Sequence, residues 1–173
     1  MKRVVIIGAG ASGMMAAKVA GDRGYKVTVL EKQKRCGQKL LITGKGRCNI
    51  TNNCEIEELI ENVPTNGKFL YSAFYTFTND QVIDMFNDLG VETKTERGKR
   101  VFPSSDKAHD IANALEKMIK SQKVKLLLNT KVDKVVSKGS KIEKVILDKD
   151  YVVQKFVENL TEDICKNSLY EYV

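Results

Sequence analysis

The sequence is poor in the residues that build metal sites and disulfide frameworks. It has a single histidine, His109, and its four cysteines, Cys36, Cys48, Cys54 and Cys165, include no Cys-x-x-Cys pair. That spacing supports neither a zinc site nor a disulfide scaffold. Long apolar runs are scarce as well. Near the start the longest unbroken one is Val4-Val5-Ile6-Ile7, far short of a signal-peptide core or of the ~20 residues of a membrane span. The reading is a cytoplasmic protein with no membrane partner. Internal repeats and low-complexity segments are also missing.

What is present is ordinary globular composition. The chain has 173 residues, 42% hydrophobic and 29% charged, which excludes global disorder and suits one domain or part of a larger one. Lys plus Arg number 29 against 22 Asp plus Glu, a formal net charge of +7, so an acidic ligand suits the chain. Charge alone does not choose between phosphate, RNA and neither. The lysine-rich stretch from Lys117 to Lys149 has no interleaved aromatic residue, which argues against a nucleic-acid groove and for solvated faces.

Period places the elements. Residues 3–7 form a short apolar run stopping at Gly8, the pattern of a parallel strand buried on both faces. Met14, Met15, Ala16, Ala17, Val19 and Ala20 predict a helix, with Gly24 as a left-handed C-terminal cap. Residues 25–30 read as a second strand ending at Glu31, which completes a βαβ unit. Residues 32–53 show no hydrophobic period and read as a long loop. Thr78-Asn79-Asp80-Gln81 fits a capping box before a helix closed by Gly90. Another helix follows Pro103, with Ala108, Ile111, Ala112, Leu115 and Ile119 on one stripe and His109 off it, at the surface. Strands are predicted at 124–128, 132–137 and 142–147, the last two joined through Gly139-Ser140. The fold class is therefore α/β: a parallel sheet with flanking helices and a small β-meander.

Gly8-Ala9-Gly10-Ala11-Ser12-Gly13 fits G-x-G-x-x-G between a predicted strand and a predicted helix. The first glycine permits the tight turn, the second lets a pyrophosphate approach the backbone, and the third lets helix and strand pack closely. Glu31, about 20 residues further on, is placed to hydrogen-bond the hydroxyls of an adenosine ribose and to repel a 2′-phosphate. FAD or NAD is favoured over NADP. A Walker-type loop is excluded, because Gly46 stands where that motif needs Ser or Thr after Gly44-Lys45.

The run Gln38-Lys39-Leu40-Leu41-Ile42-Thr43-Gly44-Lys45-Gly46-Arg47-Cys48-Asn49-Ile50-Thr51-Asn52 is not explained by a generic dinucleotide fold. With Gly8 to Gly13, Phe69 to Phe74, Leu89-Gly90-Val91-Glu92 and Glu96-Arg97-Gly98-Lys99-Arg100-Val101-Phe102-Pro103, it resembles the bacterial FAD-dependent oxidoreductases of the aminoacetone-oxidase-like flavoprotein family, related to glutathione-reductase-type folds. The resemblance covers roughly residues 1 to 147. It implies a Rossmann-like FAD/NAD(P)-binding fold with FAD as cofactor, with Gly8, Gly10, Ala11, Ser12 and Gly13 at the pyrophosphate and Glu31 at the ribose. Lys32 and Lys39 join them as cofactor-binding candidates. Gly46, Arg47, Cys48 and Asn49 would lie toward the flavin, and Val132 would meet the adenine through its backbone. Cys48 reads as a small buried apolar residue, with a redox role as the alternative. No catalytic side chain and no metal ligand is identified.

The resemblance also implies a strand running into Ala-Thr-Gly-Gly. Asp150-Tyr151-Val152-Val153 begins like that strand, but Gln154-Lys155-Phe156 follows, and Val153, Phe156, Val157, Leu160 and Ile164 have helical spacing. Residues 1–153 are thus expected to be the N-terminal part of an FAD-binding domain, incomplete at its C-terminus, and 154–173 a helical tail unlike the family. Three functions follow. The first is the FAD-binding portion of a flavin-dependent oxidoreductase, with NAD(P)H as candidate donor. The second is a non-enzymatic nucleotide-binding or self-associating remnant, with a second copy covering the exposed face, and the third an RNA-associated flavoprotein.

Overall fold

The computed structural model describes residues 3–122, 124–139 and 141–148. The strand expected from Asp150, the helical tail and Cys165 lie outside the described residues, as does the turn residue Ser140. In chain order the elements are β1 (Arg3–Ile7), α1 (Ala11–Asp22), β2 (Lys26–Leu30), β3 (Thr51–Asn52), α2 (Ile56–Glu61), α3 (Tyr71–Thr76), α4 (Asn79–Asp88), β4 (Thr93–Glu96), β5 (Arg100–Pro103), α5 (Ala108–Ser121), β6 (Lys125–Leu127), β7 (Val132–Lys138) and β8 (Lys141–Leu147). Short 3-10 turns occupy Leu40–Gly46 and Gly67–Leu70. The chain divides into two compact units: Met1–Gln38 with Leu115–Val173, and Lys39–Ala114.

The first unit carries a parallel sheet in the order β1-β2-β6. β1 pairs with β2 from Arg3↔Lys26 to Ile7↔Leu30, and β2 with β6 from Thr28↔Lys125 to Leu30↔Leu127. The continuous apolar run predicts burial on both faces for β1, but that burial belongs to β2, whose Val27, Val29 and Leu30 are buried. Among the described residues β1 has a neighbour on one side only, and Ile7 is 53% exposed. α1 buries Met14 and Ala17 and ends as expected: Gly24 takes φ +74, its N–H donates to Gly21 O at 2.8 Å, and the Tyr25 N–H donates to Ala20 O at 3.1 Å. A left-handed residue there lets the last carbonyls find donors. β7 and β8 pair antiparallel from Val132↔Leu147 to Lys138↔Lys141, with Gly139 at φ +59 in the turn.

The second unit holds an antiparallel sheet in the order β3-β5-β4. Its β4–β5 hairpin turns through Arg97-Gly98-Lys99, with Gly98 and Lys99 both at positive φ. The capping box forms as predicted: Thr78 Oγ1 accepts from the Gln81 N–H at 3.2 Å, and Gln81 Oε1 accepts from the Thr78 N–H at 2.9 Å. The predicted stripe of α5, a helix whose residues belong to both units, is buried along Ala108, Ile111, Ala112, Leu115 and Ile119, and His109 is exposed.

Residues 32–53 are more ordered than their sequence predicts. They contain the Leu40–Gly46 turn and β3, because the Ile50 N–H donates to Val101 O at 2.8 Å and the Asn53 N–H to Lys99 O at 2.7 Å. Such pairing with a distant hairpin leaves no local period to read.

Candidate functional site

The first unit assembles the glycine motif as a turn between β1 and α1. The Gly8 N–H donates to Leu30 O at 2.7 Å, and Gly8 takes φ +98, a region open to glycine at little steric cost. At Gly13 the constraint is contact: an added Cβ would lie 2.0 Å from Gly8 O and 3.1 Å from Gly8 C. Helix and strand approach so closely that only hydrogen fits between them. Gly10 is the opposite case. It is exposed, has φ −78, and an added Cβ would meet nothing within 4 Å.

The start of α1 suits an anion. Gly10 caps it with no side-chain hydrogen bond, and the first turn holds no acidic residue. The opening N–H groups of a helix lack intrahelical carbonyl partners and carry the positive end of its dipole. Open space beside Gly10 and uncompeted N–H groups after it make a cradle that fits a diphosphate.

Glu31 stands at the end of β2, 8% exposed. Its Oε2 accepts from the Ala9 N–H at 2.7 Å and its Oε1 from the Gln33 N–H at 2.8 Å. The backbone is equally engaged: the Glu31 N–H donates to Leu127 O and Glu31 O accepts from the Thr130 N–H, each at 2.8 Å. These bonds bring the 8–13 turn, the end of β2 and the 129–131 turn together, and half-buried Val132 opens β7 directly after that turn. Lys32 is exposed to solvent. Sequence reasoning gave no role to Gly37, whose N–H donates to Ala9 O at 2.8 Å, or to Gln33. Backbone bonds of this kind have no residue-type signal. Cys36 is buried in the same unit, and burial, together with the Glu116 and Glu31 carboxylates, pushes its thiol up to about 12. It is a poor nucleophile at neutral pH.

The other candidates, Lys39, Gly46, Arg47, Cys48 and Asn49, belong to the second unit. Gly44, Lys45, Gly46 and Cys48 all take positive φ, and the Cys48 N–H donates to Thr43 O at 3.1 Å. Cys48 is 2% exposed and burial raises its thiol. The Asn49 amide faces the carbonyls of Thr51 and Val101, 3.0 Å away, so its nitrogen donates to both. Arg47 is engaged by residues to which the sequence assigned no role. Its guanidinium sits 4.1 Å from the centre of the Phe102 ring, its Nε donates to Asp106 Oδ1 at 2.8 Å, and its terminal nitrogen pairs with Glu96. Lys94 joins the cluster through Asp106 at 2.7 Å. Lys39 is exposed.

This cluster gives a pH dependence. Hydrogen bonds from Arg47 and Lys94 hold the Glu96 and Asp106 carboxyls below the usual carboxylate range. A carboxyl lowered on folding adds stability above its unfolded pKa and loses it as pH falls through the folded one, hence below about pH 4. Arg47→Met, which keeps a stem over Phe102 without the charge, is expected to flatten the decline of Tm between about pH 5 and pH 3, measured by thermal melts. The effect is modest, because these groups are partly exposed and water screens them. A variant whose Tm falls with acid as steeply as the parent's contradicts the assignment.

Comparison with known proteins agrees with this frame. Residues 2–157 match the model described as "HI0933-like protein Rossmann domain". The chain is 35% identical over 143 residues to a 3-dehydro-bile acid delta(4,6)-reductase of Clostridium scindens, covering 80% of this chain and 34% of that protein. It is 29% identical over 170 residues to a ribosomal RNA dihydrouridine synthase of Haemophilus influenzae, covering 94% of this chain and 38% of that one. The chain therefore spans about a third of the length of these relatives. Among solved structures, a flavocytochrome c3 fumarate reductase in an open conformation superposes with a TM-score of 0.60 at 21% identity, over 84% of this chain and 30% of that chain, a likeness of fold. Among the described residues no helix is long and apolar enough to cross a membrane. A parallel β1-β2-β6 sheet, a glycine turn opening onto α1 and a family match across most of the sequence lead to one conclusion: the chain belongs to the HI0933-like Rossmann-domain family.

Proposed function

We propose that this chain is the N-terminal, FAD-binding portion of a cytosolic flavin-dependent oxidoreductase, with residues 1–153 as its share of the cofactor domain. The observation that carries the reading is the pairing of an open α1 start at Gly10, free of any side-chain cap, with a buried carboxylate, Glu31, bonded to the same turn. The N–H groups of Ala11, Ser12 and Gly13 hold the diphosphate, Glu31 receives the ribose hydroxyls, and the backbone at Val132 borders the adenine. Lys32, Lys39 and the Gly46, Arg47, Cys48 and Asn49 turn are assigned to the cofactor on the resemblance. Bound flavin supplies two-electron hydride chemistry. NAD(P)H is the proposed donor. The names of both curated relatives denote saturation of a double bond, so a conjugated alkene is the proposed substrate class. Self-association over the β1 edge, which has a neighbour on one side only among the described residues and where Ile7 is exposed, belongs to the same proposal.

The test is a visible spectrum of the purified chain after incubation with excess FAD and desalting. Retained flavin absorbance near one equivalent supports the reading. A folded protein that emerges colourless and does not bind ADP overturns it.

A further inference from the structure

We propose that Glu31 is a positioning residue for the diphosphate turn, its carboxylate fixing the Ala9 amide so that the turn is formed before any nucleotide arrives. The strut is rooted at both ends. Its backbone is tied to Leu127 and Thr130, and its Oε1 to the Gln33 N–H, while Oε2 reaches the Ala9 N–H at 2.7 Å. Ala9 is fully buried, and its own carbonyl accepts from the Gly37 N–H. The Ala9 peptide is thus held through both its polar groups, immediately before Gly10, whose carbonyl accepts the Met14 N–H that begins α1. A buried N–H without this acceptor would be unsatisfied.

Only a carboxylate serves here. It offers acceptors at both oxygens and about four lone-pair sites, so two backbone N–H groups and two ribose hydroxyls can be met together. A glutamine of the same shape turns an NH2 toward one of the two N–H groups, and an aspartate is one methylene short of Ala9. The effect on the empty protein needs no ligand, whereas the effect on affinity rests on the dinucleotide reading above.

The experiment uses the full 15N-labelled chain. Amide hydrogen exchange without ligand is compared in the parent and in Glu31→Gln, followed by NMR titrations with ADP and with inorganic pyrophosphate, which has no ribose. The Ala9 amide is expected to exchange about tenfold faster in the variant, the worth of one lost hydrogen bond. The α5 amides should keep their protection, affinity for pyrophosphate should fall, and affinity for ADP, whose ribose also meets Glu31, should fall by at least the same factor. Glu31→Asp is measured alongside, so that a misfolded glutamine variant still leaves a readable substitution. Unchanged Ala9 exchange in a folded variant overturns the proposal. So does loss of ADP binding with pyrophosphate binding intact, which would assign Glu31 to the ribose alone. A parent that binds neither probe overturns the function proposed above, while the exchange result still decides the role of Glu31.

Discussion

Gly13→Ala is expected to cost more stability than any other single methyl addition at a glycine of the first unit. The new Cβ would sit 2.0 Å from Gly8 O and 3.5 Å from Ile6 Cγ2. The first obstacle is backbone, which no rotamer change can clear. α1 must therefore lift from β1, opening the packing of Met14 and Ala17. Overpacking of this kind costs roughly 1–3 kcal/mol, and a rigid backbone obstacle places this case at the upper end. For a chain of this size that is a fall in Tm of roughly 5–10 °C, read by a thermal melt. A variant that melts within about 2 °C of the parent would falsify the close approach of Gly13 to Gly8.

Gly10→Ala separates binding from folding. The added methyl meets nothing within 4 Å and φ −78 suits alanine. Alanine is a poorer N-cap than glycine, but it also lowers the entropy of the unfolded chain, and the two effects oppose each other at a few tenths to about 1 kcal/mol. Tm is expected to stay within about 2 °C. Under the proposed function, the same methyl projects into the space through which a diphosphate would reach the turn. FAD affinity should drop at least about tenfold, or about 1.4 kcal/mol, in a fluorescence titration. Parental affinity in this variant places the diphosphate elsewhere.

The two glycines show what the sequence made legible. The motif's spacing told the turn glycine, Gly8, from the packing glycine, Gly13, since a motif set between a strand and a helix encodes its geometry locally. The capping box at Thr78 and Gln81 and the stripe of α5 were legible for the same reason. The β3-β5-β4 sheet was not. β4 is Thr-Lys-Thr-Glu, with no apolar alternation, and β5 ends in Pro103, a residue that argues against a strand. α2 and α3, at 6 residues each, are too short to display a period. Partners of charged residues were hidden by distance along the chain: Asp106 and Glu96 lie 59 and 49 positions from Arg47. Glu31 was recognised for its end of the strand, but its bond to Ala9, 22 positions away, emerges only from the fold.

The most direct test of the dinucleotide site is an 1H–15N titration of the full chain with FAD. The account predicts saturable movement of the Gly10, Ala11, Ser12 and Gly13 amides, the groups whose donors α1 leaves to the ligand. Amides of residues 10–13 that stay in place under excess FAD, with or without shifts elsewhere, would contradict it.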